Sequence, residues 1–247
     1  MKKNKRSFPV KSTLLFAAAG ILMLGSAVGS TRAALTYYSE NYSAQMNMLS
    51  IGVTLQENGK DISSRDYQQN GSWAENSGIL LKNLIPSGEK FTPGKAYEEK
   101  LSVKNSGSID TFVRMIVTKS WKKDDIKDTT LDPNLIELNL TEGSGWTQAP
   151  VEGSDERSIY YYTNAIPAGG SSNNLTDSIR IDGKIAKEVE KKQEGNIITY
   201  EYAYNGYTFC LEAEVDAVQT HNAAEAIKSA WGVDVAVADD ELSYRLQ

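Results

Sequence analysis

From residue 51 onward, apolar and polar positions alternate in short runs set apart by turn residues. That is the two-residue period of half-buried strands, not the 3.6-residue period of helices. Ile51-Gly-Val-Thr-Leu55 is the first run, closed by the turn Glu57-Asn-Gly-Lys60. Residues 60–78 are rich in Ser, Asn and Gln and read as a long loop, and 79–84 reads as a strand ending at Pro86-Ser-Gly88. Phe91-Thr-Pro-Gly94 leads into 97–104, where Tyr97, Leu101 and Val103 share a face. Asn105-Ser-Gly-Ser108 then turns the chain into 111–119, the strongest β-former in the molecule, and the two runs predict a hairpin.

Further on, 122–133 is charged and loop-like, 135–140 alternates, and 143–153 is a loop carrying Trp146. A strand at 158–163 ends at Pro167-Ala-Gly-Gly170, and 175–181 is extended. The charge-dense stretch 184–194 is a loop or a short exposed helix. Alternating runs at 197–204 and 207–218 flank Asn205-Gly206, which accepts the positive φ angles of a hairpin turn. On the second run Tyr207, Phe209, Leu211, Ala213 and Val215 share one face. The Ala-rich stretch 222–231, with Asn222 as cap and Gly232 as stop, predicts one short C-terminal helix. About nine or ten strands without βαβ alternation predict an all-β, jelly-roll-like β-sandwich with a short C-terminal helix.

The stretch before residue 51 follows a different rule. A basic patch (Lys2, Lys3, Lys5, Arg6, Lys11) precedes a 16-residue apolar core at 14–29 and a small-residue cluster. This is the layout of a signal peptide, and the core falls short of the ~20 residues of a relaxed membrane span. Cleavage between Ala33 and Ala34 puts small residues at both recognition positions; an uncleaved N-terminal anchor is the alternative. The chain then divides into a signal peptide (1–33), an extended N-terminal segment (34–50), a β-sandwich domain (51–218) and a C-terminal helix and tail (219–247).

Composition narrows the function. Of 26 basic residues six belong to the leader, so the mature chain carries 20 against 32 acidic residues, a net charge near −12. Nucleic acid and anionic lipid surfaces, which demand basic patches, are not expected partners, and the membrane is met only transiently through the leader. Cys210 is the single cysteine, so no intramolecular disulfide forms. His221 is the single histidine, which removes the HExxH zinc peptidases and leaves any Ser–His–Asp or Cys–His mechanism dependent on one imidazole. No catalytic residue and no cofactor is expected, apart from calcium at the oxygen-rich run Asp124, Asp125, Asp128 and Asp132, whose spacing fits no EF-hand. The tyrosines at 160–162, 200, 202, 204 and 207 could line a glycan or peptide groove, or form cross-strand pairs.

Three motifs carry a family resemblance. Thr31-Arg-Ala-Ala-Leu35 ends the leader. Asn83-Leu84, then Pro93-Gly94, an alternating strand into Asn105-Ser-Gly-Ser108 and the strand at 112–117 form the second, and Phe209-Cys-Leu-Glu-Ala-Glu-Val215 with Val218-Gln219 the third. Together they resemble the TasA/camelysin family of exported biofilm-matrix and spore- or cell-surface proteins, over most of residues 13–220. The resemblance implies a jelly-roll domain, export through a dedicated (SipW-type) signal peptidase, and self-association into fibres by donor-strand exchange. It makes this chain a secreted structural protein of an extracellular matrix or cell surface, with a monomeric adhesin as the alternative. Donor-strand candidates are Leu35, Tyr37, Tyr42, Met46, Met48, Ile51 and Val53. Camelysin relatives have been labelled metalloproteases, an activity for which this chain lacks zinc-ligating histidines.

Overall fold

The computed structural model describes residues 50–247, except 69, 88, 150–153, 187–188, 195–196, 203 and 205; the side chains of 189–194 and 197–202 are also left undescribed. The leader, the cleavage pair Ala33 and Ala34, and the donor-strand candidates Leu35, Tyr37, Tyr42, Met46 and Met48 lie outside the described residues.

The chain is all-β, built of antiparallel sheets with one short helix. Strand β1 (Gly52–Glu57) turns at Asn58-Gly59, both at positive φ, into β2 (Lys60–Tyr67), which pairs with β3 (Trp73–Asn76). The polar stretch 60–78 is therefore a pair of strands and not a loop. Its Asn-Gly turn sets the register with β1, which no alternation in the Ser-rich sequence announces. Residues 80–83 form a turn with Leu81 at φ +62°, where a strand was expected from the apolar run.

The run at 97–104 is divided between two sheets. Strand β4 (Ala96–Glu98) pairs elsewhere, while β5 (Leu101–Asn105) pairs with β1. The expected hairpin across Asn105-Ser-Gly-Ser108 is likewise a crossing between layers. Beyond it, β6 (Thr111–Lys123) joins a second sheet. Asp124 and Asp125, both at positive φ, turn β6 back into β7 (Ile126–Asp128). Next come β8 (Ile136–Leu140), β9 (Trp146–Ala149) in the expected Trp146 loop, β10 (Arg157–Ile166) and β11 (Thr176–Ile181). The charged stretch after Gly183–Ala186 forms β12 (Val189–Glu194), paired with β13 (Ile197–Tyr202). The long β14 (Tyr207–Gln219) pairs with β6 over its whole length. The hairpin expected there does not join these two strands among the described ladders, because β13 takes β12 and β14 takes β6 as partner, and Asn205 itself lies outside the described residues. Helix α1 (Ala223–Trp231) and the hairpin β15 (Val235–Val237) and β16 (Tyr244–Leu246) complete the chain.

Two layers enclose the main core. One carries the order β3-β2-β1-β5, continued by backbone bonds from β5 to the segment leading into β11 (Ser172 N to Val103 O, Leu175 N to Leu101 O), and thence to β4 and β8. The other is β14-β6-β10-β9. Between them lie Val53, Leu55, Leu101, Val103, Val113 and Met115 among others. The opposite face of the second sheet is also buried. Phe112, Tyr161 and Val218 meet Ile227 and Trp231 of α1 and Tyr244 of β16. Burial on both faces is why 112–117 reads as an almost unbroken apolar run. It also makes 219–247 a packed part of the domain rather than a tail.

Candidate functional site

Three features of the fold bear on assembly: where Ser50 is held, which strands are terminal in their sheets, and which side chains β2 and β3 present. Ser50 is tied to the arch between β5 and β6. Its carbonyl accepts from Ser108 N at 2.8 Å and its N–H donates to Ser108 Oγ at 2.8 Å. Gly52 O accepts from Ser106 N at 3.1 Å. Ser50 is thus held at one corner of the sandwich. The sixteen residues 34–49 can span roughly 50 Å when extended.

Ile51 is half-buried just ahead of β1, and its carbonyl accepts from Tyr67 N at 3.0 Å. Val53 is buried on β1, a strand paired on both sides by β2 and β5. Leaving the domain would break both ladders, so Val53 belongs to this chain's own core and is corrected out of the exchangeable set.

Among the described residues, β14 is a terminal strand that pairs with β6 alone over its 13 residues, as β3, β4, β8 and β9 are terminal strands of the larger sheets. An open strand edge is the structural requirement for adding a strand. Across the sandwich β14 packs on β1, so β2 and β3, which lie beyond β1 in their own sheet, extend past it. The pairings Val53↔Arg65, Arg65↔Glu75 and Tyr67↔Trp73 place these side chains on the core-facing side of that projecting pair. There Arg65 bonds Glu75 at 3.0 Å and stacks 4.7 Å over Trp73, whose ring meets Tyr67 edge-on at 5.2 Å. Arg65, Tyr67 and Trp73 therefore form an apolar and cationic shelf on that face of β2 and β3. Polar strands at 60–67 and 73–76 hid this from sequence reading, although the Arg65/Tyr67/Trp73 set was a possible signal.

The calcium candidates are not brought together. Asp124 and Asp125 are spent in the β6–β7 turn. Asp128 Oδ1 accepts from Thr130 N at 2.8 Å and Thr130 Oγ1 at 2.6 Å, bonds that hold its carboxyl below its ordinary range. Asp132 caps Asn134 N at 2.8 Å. Among the described residues no group of three or more His, Cys, Asp or Glu side chains is placed to hold a metal ion.

Of the tyrosines, 160–162, 204 and 207 pack instead of lining a groove, and the side chains of Tyr200 and Tyr202 lie outside the described residues. Tyr160 and Tyr162 enter the main core, and Tyr161 enters the second one with Trp231 at 5.6 Å. Burial raises the Tyr160 hydroxyl above its usual range. Tyr204 and Tyr207 meet at 6.3 Å, with Tyr204 5.7 Å from Trp121. Cys210 is half-buried mid-strand, and the extended chain from it to Gln219 alone covers about 30 Å, so exposed His221 lies far from it.

One acidic pair was not foreseen. Glu57, at the end of β1, and Glu99, at the break between β4 and β5, are both buried. Glu57 Oε1 accepts from Leu81 N at 2.5 Å, while neither Glu99 oxygen meets an N–H or O–H donor among the described residues. Desolvation, and then the neighbouring Glu57, push the Glu99 carboxyl up to about 8.

Among the described residues no helix is long and apolar enough to cross a membrane. Scans against protein-family models, curated proteins and solved structures match nothing to this chain.

Proposed function

We propose that this chain is a secreted structural protein that assembles with copies of itself into extracellular matrix or surface fibres. In this reading, residues 34–49 of one subunit add a strand to the outer edge of β14 in the next. The observation that carries it is the 13-residue terminal strand β14, together with the Arg65, Tyr67 and Trp73 shelf on β2 and β3. The donor's Tyr37, Tyr42, Met46 and Met48 supply apolar and aromatic side chains for that shelf. With Ser50 held at its corner, a reach of roughly 50 Å lets the segment pair outside its own domain. The jelly-roll description and membership of the TasA/camelysin family belong to the same proposal, supported by the motifs at 31–35, 83–117 and 209–219.

Export and cleavage between Ala33 and Ala34 free the donor in this scheme. The net charge near −12 of the mature chain keeps subunits apart until salt screens it, so assembly accelerates with ionic strength.

Electron microscopy and light scattering on chains beginning at Ala34 and at Ser50 test the reading. Filaments are expected from the first and not from the second. A peptide of residues 34–49 added in excess to the first should cap its growth. Filaments of equal number and length from both chains would remove the donor role.

A further inference from the structure

Glu57 and Glu99 pose a problem in electrostatics that the assembly reading does not use. Glu57 ends β1 opposite Leu101 of β5, and Glu99 lies two residues before Leu101. Both share the alternation that points Leu55, Leu101 and Val103 into the main core, and their exposures are 6% and 1%. Two ionised carboxylates cannot share a dry site without a cation, because burial disfavours each charge and their repulsion adds to the cost.

The charged groups on the surrounding elements do not supply that cation. On Glu99's own segment, Lys100 and Glu98 pair with each other at 2.7 Å. From β2, Lys60 stands opposite Glu57 with its residue exposed to solvent. From β11, Asp177 gives Glu99 only its carbonyl, at 3.1 Å from Glu99 N, and its own carboxyl accepts from Thr141. From the covering turn, Lys82 is exposed. A bond between two carboxyl groups requires that one of them keep its proton. Glu57 already accepts the Leu81 N–H, whereas Glu99 is the more deeply buried and neither of its oxygens meets a donor among the described residues, so the proton is placed on Glu99.

We propose that Glu99 stays protonated in the folded chain and donates to Glu57, forming a latch that pins the turn at 80–84 and loosens in alkaline medium. The chain of bonds runs from Glu99 O–H to the Glu57 carboxylate, which also takes the amide of Leu81. Leu81 sits at φ +62° in that turn, and Leu80, Leu81 and Leu84 pack on the main core. The same cover continues to Phe91, stacked on Tyr97 at 5.3 Å and tilted on Phe209 at 5.4 Å, and to Thr92, whose N–H donates to Tyr97 OH at 2.7 Å. Releasing the latch loosens the cover over the Tyr97 and Phe209 end of the core, which includes the first turns of β14. The latch stands on this chain alone and operates whether or not the protein polymerises.

The sign follows from linkage. Glu99 holds its proton to about pH 8 when the latch is closed, and an exposed carboxyl loses it near 4.5. The closed form therefore binds the extra proton, and closure weakens as pH rises through that window and levels off above it.

Amide hydrogen exchange of the full chain, corrected for the intrinsic pH dependence, tests this at Leu81 and residues 80–84. The opening constant should rise about tenfold per pH unit between roughly pH 5 and 8 in the unmodified protein. In Glu99→Gln, whose amide donates to Glu57 at any pH, the profile should be flat. A flat profile in the unmodified protein, or the same slope in both, overturns the latch. Should Glu99→Gln fail to fold, the carboxyl-carbon NMR titration of Glu99 in the unmodified protein decides alone. A midpoint near 8 supports the latch and one near 4.5 overturns it.

Discussion

Replacing Phe112 by alanine should lower the stability of the folded chain by about 3–5 kcal/mol, a large fraction of the ~5–15 kcal/mol that holds a typical domain. Phe112 is fully buried on β6, on the face turned away from the main sandwich core. Its ring meets Tyr244 of β16 edge-on, with centroids 4.9 Å apart at 88°. It is therefore both part of the second sheet and the floor on which the C-terminal hairpin rests. Tyr161, 5.6 Å from Trp231, and Val218 tie that module to the sheet in the same buried cluster, and polar contacts add to them. Arg114 bonds Asp216 at 2.7 Å and lies 5.5 Å over Trp231, and Ala165 N donates to Leu242 O at 2.8 Å. Emptying the Phe112 position leaves a cavity that this module cannot collapse into without giving up the Tyr244 contact. Urea unfolding followed by tryptophan fluorescence reads the change, with Ile126→Ala as the control. Ile126 is 73% exposed at a hairpin tip and should shift stability by no more than about 0.5 kcal/mol. Equal midpoints for the two variants would show that α1, β15 and β16 contribute nothing to the domain.

Phe112 also marks where the sequence was informative. The run at 112–117 was legible as a strand because its β-branched and aromatic residues admit little else. The face assignments of Tyr97, Leu101 and Val103, and of Tyr207, Phe209 and Leu211, were legible from parity alone, and all pack in or against the main core. What parity cannot carry is partnership. The turn at 105–108 looks the same whether it closes a hairpin or hands the chain to the opposite layer. The choice depends on β1 competing for β5 and β14 competing for β6, contacts made 44 to 108 residues away. The polar strands β2 and β3 were hidden for a related reason. They project beyond the sandwich, so no apolar alternation was required of them, and their register comes from the Asn58-Gly59 turn.

The candidate site divides in the same way. An export leader followed by an extended segment is a linear pattern, readable without a fold. The receiving edge is not, because it exists only by virtue of which strand lies last in a sheet. Glu57 and Glu99 are 42 positions apart and look like two ordinary surface acids in an acidic chain. Only the pairing of Glu57 with Leu101 reveals that both point inward.

Replacing Gly107 by alanine should damage both the stability of the domain and the corner that holds Ser50. A Cβ at Gly107 would stand 2.5 Å from Ser50 O and 2.6 Å from Gly52 N, distances no real Cβ keeps. Both neighbours are backbone, so no side chain can swing aside. Nor is β1 free to retreat, since β2 and β5 hold it on both sides. The arch must move instead, and with it go the bonds from Ser108 N to Ser50 O and from Ser106 N to Gly52 O. Overpacking of this kind costs about 1–3 kcal/mol, and the lost hydrogen bonds add roughly 1 kcal/mol each. Gly59 provides the contrast. It has nothing within 4 Å of its Cβ position but lies at φ +76°, so Gly59→Ala costs only the left-handed backbone, about 1–2 kcal/mol, and leaves the corner at Ser50 intact. Thermal unfolding should rank the wild type above Gly59→Ala and Gly59→Ala above Gly107→Ala. If residues 34–49 act as donor, filament growth at matched fractions of folded protein should slow in Gly107→Ala and not in Gly59→Ala. The donor is useful only when it leaves its own domain in a fixed direction, and Gly107 is the residue whose small size lets the arch and β1 meet there.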